Sequence, residues 1–285
     1  LAGNWSMAAG VNADFISQSG IVIFDGGSTQ TIDAGGTGDA LKDFNDLQVS
    51  GSTLQLINTA LEVDGTLTVD AGKTLDIQGL DLNAVGTFTN NGTFKLHGDQ
   101  TNVGPVDTLA SGSTVDYTDT ADTIALQDWA YHHLTISGGA TYTEPGTTNV
   151  AGNLLVSAGT LNASDATDNI DVAGDVTING TGTLQAPNVA DDTSFTVEGS
   201  WEVSGSGVFT PSASGRVVFD GSASGKTITT SSSGADDFND LKLNTAGGVW
   251  TLEDELTISQ DLVIDNGTLN TNSGENNTLI ITRDW

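Results

Sequence analysis

Internal repetition constrains this chain more than any other feature. Gly20-Ile21-Val22-Ile23-Phe24-Asp25-Gly26 leads to Asp43-Phe44-Asn45-Asp46-Leu47, and Gly215-Arg216-Val217-Val218-Phe219-Asp220-Gly221 leads to Asp237-Phe238-Asn239-Asp240-Leu241. The Phe-to-Phe interval is 20 residues in the first copy and 19 in the second. A degraded copy lies between them, Ser113-Thr114-Val115-Asp116-Tyr117 followed by Ala130-Tyr131-His132-His133-Leu134. Each outer copy is preceded by Gly-x-Trp and a further Phe: Gly3-Asn4-Trp5 with Phe15, and Gly199-Ser200-Trp201 with Phe209. Self-similarity of this kind points to a repeat architecture, in which each unit buries its apolar face only by stacking on its neighbours.

The finer pattern gives the element type. Small apolar doublets recur at alternate positions (Leu54/Leu56, Leu61/Val63, Leu67/Val69, Leu75/Ile77), each followed by Gly, Asn or Asp. Period two over three residues, closed by a turn former, reads as a very short strand. Comparable positions recur one coil apart: Leu47 to Leu67 is 20, Leu134 to Leu154 is 20 and Leu241 to Leu262 is 21. We therefore expect an all-β, right-handed parallel β-solenoid of about 20 residues per coil. That step makes roughly 14 coils and a rod on the order of 65 Å long. It is expected to run through residues 1–285 with sequence modules at about 1–85, 86–198 and 199–285. The alternative is a set of tandem antiparallel β-sandwich domains, favoured locally by Asn90-Asn91-Gly92 between Phe88 and Phe94, which reads as a hairpin turn.

Seven Lys+Arg against 37 Asp+Glu give a formal charge of −30, a balance that repels nucleic acid and anionic membranes. With no cysteine, disulfides and thiolate metal sites are excluded. No apolar run reaches the length of a transmembrane helix, and no signal peptide is visible at Leu1-Ala2-Gly3-Asn4-Trp5.

Gly-x-Trp, Val-x-Phe-Asp-Gly, Phe-Asn-Asp-Leu and the run Asp261 to Leu269 together resemble repeats of large secreted bacterial surface proteins: β-helical adhesins, fibres and surface-layer-like proteins. The resemblance covers most of the chain in style and repeat pattern. It implies an extracellular or cell-surface structural or adhesive role, and it brings no catalytic residues.

Several groups are candidates for chemistry. The acidic turns at Asp236, Asp237 and Asp240 offer oxygen ligands to calcium, but the middle copy carries His132-His133 where the outer copies have Asn-Asp, which a repeat-wide metal site should not tolerate. No cofactor is expected. Neighbouring strand residues such as His132 and His133 point to opposite faces and do not readily share one ion. Paired carboxylates for polysaccharide cleavage lack arginines and long cleft-forming loops around them, so no enzyme is expected. Asn4, Asn91, Asn162, Asn179, Asn266 and Asn276 head Asn-x-Ser/Thr sequons open to glycosylation in a secreted chain. Trp5, Leu279, Ile281 and Trp285 are expected at assembly ends, because the chain starts inside the repeat and its last apolar strand has no polar finish. The expected function is an extracellular filament or adhesin segment joined head to tail, as a homopolymer or as part of one longer chain. Surface glycans are the alternative partner. An ice- or glycan-binding face would need aligned Thr, and Thr-x-Thr elements such as Thr87/Thr89 and Thr227/Thr229 read as too scattered for it.

Overall fold

The structure is a computed structural model that describes residues 1–7, 15, 17–35, 44–84, 86–104, 106–230, 238–272, 274 and 277–284. Backbone contacts divide it into two compact units, Leu1–Asp119 and Thr120–Trp285. Both are β-solenoids of short parallel strands, with about 22 residues per turn and about 11 turns in all, and no helix occurs among the described residues.

Stacked side chains make the core. In the first unit Leu47, Leu67 and Phe88 form one column, and Leu54, Leu75, Phe94 and Val115 another. In the second unit Leu134, Leu154, Val176, Trp201, Ile228 and Leu252 stack in register over six coils, all fully buried. Alternation explains the pattern: in Thr53–Leu56 or Thr66–Val69 the Leu and Val positions are buried and the intervening Thr or Gln positions are not. The Asn90-Asn91-Gly92 turn is a coil corner rather than a hairpin. Strands Thr87–Asn90 and Thr93–Leu96 pair only with strands of other coils, in parallel, and Phe88 meets Phe94 edge-on at 5.0 Å inside the coil.

The three sequence copies occupy the same structural position. Phe44, Tyr131 and Phe238 are buried, and each makes a single parallel bridge, to Val63, Val150 and Ile258. The Gly-x-Trp segments match as well. Trp5, Phe15 and Phe44 form a ring triad with centroids 4.7, 5.3 and 5.3 Å apart, and Trp201, Phe209 and Phe238 repeat it at 4.8, 5.2 and 5.6 Å. The apolar frame of the repeat is thus a packing unit.

Coil length departs from the expected 20. Leu47 and Leu67 do pair at that interval, but Trp201 pairs with Ile228, 27 positions on. Corners absorb the difference, and longer corners mean fewer turns than the expected 14. Two strands, Asp240–Leu252 and Leu262–Asn270, are also far longer than three residues.

Candidate functional site

The polar half of the repeat builds the coil corners. Asp46 Oδ1 accepts the backbone N–H of Thr66 at 2.7 Å, and Asp240 Oδ1 accepts that of Asp261 at 3.0 Å. In the second unit the device runs through successive coils. His133 Nδ1 accepts from Asn153 (2.8 Å), Asn153 Oδ1 from Asp175 (3.0 Å), Asp175 Oδ1 from Ser200 (2.7 Å) and Ser200 Oγ from Thr227 (3.1 Å). Each residue satisfies a strand-entry N–H of the next coil, which would otherwise be left without a partner. The position therefore demands an acceptor, not a carboxylate, so histidine can stand where the outer copies have aspartate. Burial first, then the adjacent His132, lowers the His133 pKa and keeps its acceptor nitrogen unprotonated.

This corner accounts for the calcium candidate within the described residues. Asp240 is buried, with one carboxylate oxygen in the ladder and the other 3.8 Å from Arg216 Nη2. Asp236 and Asp237 lie outside the described residues, among which no group of three or more His, Asp or Glu side chains is placed to hold a metal ion. Arg216 also reaches Asp192 at 2.9 Å, and buried Lys242 bridges Asp192 and Asp265 at 2.6 and 2.7 Å. The hydrogen bonds to these two carboxylates raise the Lys242 pKa, and the bond from Lys242 is the largest factor lowering that of Asp192. Glu198 and Asp220 follow the paired residues Val197 and Phe219 on adjacent coils. Burial, then Glu198 and Asp171, raises the Asp220 pKa, and its Oδ1 is buried without a hydrogen-bond partner.

The assembly-end candidates differ from one another. Trp5 is half-buried in its ring triad. Leu279 and Ile281 line a groove of about 260 Å³ with Leu262, Ile264, Leu269 and Thr271. Five of the six end columns of inward-facing residues among the described residues: Ile264 lies on Leu243, Leu269 on Trp250, Leu279 on Leu256 and Ile281 on Ile258, with Thr271 one step past the Thr251–Asn270 pair; Leu262 lies on Leu241, and its N–H bonds the Asp284 carbonyl at 3.0 Å. The groove is the open end of the core. Ile264 there is 43% exposed, and Ile280, which alternates with Leu279 and Ile281 and points away from the groove, is 42% exposed. Trp285 lies outside the described residues. In the first unit, strand Ile21–Phe24 is a sheet edge with Ile21 and Ile23 exposed.

Of the sequons, Asn4 accepts the Thr31 N–H, Asn91 and Asn179 are half-buried at turns, Asn162 lies in strand Thr160–Asn162, and Asn266 is exposed in Leu262–Asn270. Asn276 lies outside the described residues.

Two arrangements were not legible as sites. Register aligns Thr-x-Thr elements that look scattered in sequence. In the second unit one five-stranded sheet carries Thr123, Thr141, Thr160, Thr183 and Val208 in one outward rank and Ala125, Thr143, Asn162, Gln185 and Thr210 in the other. No charged residue occupies these ten positions. The other arrangement is an acid inside the solenoid. Glu144 follows Thr141–Thr143 in the column Leu126, Glu144, Ala163, Ala186, where its three neighbours are buried apolar residues. Its parity with inward-facing Tyr142 was the available signal.

Set against protein-family models, curated proteins and solved structures, the chain matches none. The repeated β-solenoid is established by its coil registers alone.

Proposed function

We propose that this chain is a structural β-solenoid segment of an extracellular, cell-surface fibre or adhesin, joined end to end to further solenoid and without catalytic activity. The open last coil carries the reading. Among the described residues, the inward columns of Ile264, Leu269, Thr271, Leu279 and Ile281 end there, and strand Leu279–Ile281 pairs on one edge only, with Leu256–Ile258. An apolar core end and a free strand edge favour another coil over solvent. A second copy would give a head-to-tail filament, and a continuation of the same chain a long adhesin. The intact native mass separates them: 29.1 kDa supports subunits, a far larger mass the long chain. The 285-residue chain should associate with rising concentration in sedimentation runs, and I264D/I280D should remain monomeric. Wild-type monomers with an ordered, solvent-facing last coil would overturn the reading.

A glycan-binding adhesin domain is the second reading, supported by the uncharged Thr-rich sheet of the second unit. Hydroxyls and amides without charge suit a neutral polysaccharide, while the −30 chain repels anionic ones. Unglycosylated protein should bind neutral glycans on an array and lose that binding in T143E/T183E. Wild type that binds none of them contradicts it.

A further inference from the structure

Glu144 is a carboxyl group placed in an inward column of the second unit's core between apolar residues: Leu126 on the coil before, Ala163 and Ala186 on the two after. Thr148, on the same coil, is equally out of place in a column that continues as Ile170 and Phe195. The Thr148 hydroxyl hydrogen-bonds Glu144 Oε2, and Glu144 Oε1 is buried with no hydrogen-bond partner. A carboxylate here would hold a full charge with a single hydroxyl to solvate it. A carboxylic acid is neutral and keeps that bond.

Among the described residues no cation acts on the group. The following coil presents Asp168, which is buried, and Asp165, whose N–H bonds the Asp168 carboxylate at 3.2 Å. The preceding coil carries Asp122 and Asp128, both exposed. On its own coil His133 and His132 lie against Gly152 at a different corner. Asp168 adds to the cost of ionising Glu144.

We propose that Glu144 is a proton-operated lock on its coil: Thr141–Val150 stays seated between its neighbours while the carboxyl is protonated, and opens locally when the proton passes to solvent. Opening lets the carboxylate reach water, and it uncovers the strand edges on either side.

Burial is the main cause that pushes the Glu144 pKa up to about 8, with Asp168 adding to it and the Thr148 hydrogen bond opposing. The sign follows from linkage. A carboxyl with a raised pKa in the closed coil favours closure fully below the open-state value near 4.5, and that contribution falls as pH rises through about 8. Between pH 6 and pH 9 the closed-to-open ratio should fall about a hundredfold.

Hydrogen exchange of wild type and Glu144→Gln, corrected for intrinsic exchange rates, tests this. Amides of Thr141–Val150 and the strands that flank them should lose about a hundredfold protection between pH 6 and pH 9 in wild type. Glu144→Gln should hold its protection throughout. A carbon NMR titration of the wild-type Glu144 carboxyl needs no variant, and it should titrate near pH 8. Titration near 4.5, or equal loss of protection in both proteins, overturns the proposal.

Discussion

Trp201→Ala should lower the stability of the second unit by about 3–5 kcal/mol, the cost of emptying a large buried site that its neighbours cannot collapse into. Trp201 is fully buried midway along a six-coil inward column, between Val176 and Ile228. Its ring also meets Phe195, Phe209, Phe219 and Phe238 at 4.8–6.3 Å. In a solenoid each coil touches only its neighbours, so the loss should be local: exchange protection should fall across Val176–Phe238 and hold in the first unit. Trp201→Phe keeps a ring in the site and should lose much less. Denaturant unfolding with exchange mapping checks both, and an alanine variant within about 1 kcal/mol of wild type would show the triad to be incidental.

Gly199→Ala acts on spacing rather than filling. Gly152, Gly174 and Gly199 stack at the corner that carries the acceptor ladder, and the Gly199 N–H already bonds the Gly174 carbonyl at 3.0 Å. A Cβ at Gly199 would sit 2.2 Å from that oxygen, so the backbones of two coils must part. The expected loss is about 1–3 kcal/mol, and the Asp175–Ser200 ladder bond should lengthen with it. Gly3→Ala is the control, since nothing lies within 4 Å of its Cβ position. Thermal unfolding that ranks the two substitutions equally would contradict the close-approach explanation.

These two sites show why the architecture was legible in sequence while most of the chemistry was not. Inward positions must be apolar and of similar size from coil to coil, so Phe44, Tyr131 and Phe238 remain recognisable. Acceptor positions constrain only a lone pair, so His133 stands where the outer copies have Asp46 and Asp240. Asp240 is a calcium candidate in the sequence because it belongs to an acidic turn; its Oδ1 accepts the Asp261 N–H, a contact that the sequence does not show. Coil length was underestimated because corners vary freely. The same variation hid the Thr ranks, whose members stand 18, 19 and 23 residues apart from Thr123 to Thr183 yet align across strands. Lys242 and Asp192 are 50 positions apart and meet at 2.6 Å, a pairing that only coil register reveals. Glu144 was legible in principle, because its parity with Tyr142 places it inward once the coil is known.

The account rests on the last coil being covered in the native molecule. Imaging native material at a resolution that separates coils tests this directly. Further β-solenoid density should continue past Leu279–Ile281 at the strand spacing of about 4.8 Å, seated on Ile264, Leu269, Leu279 and Ile281. Discrete bodies that stop at that coil, with Ile264 and Ile280 ordered and facing solvent, would contradict it.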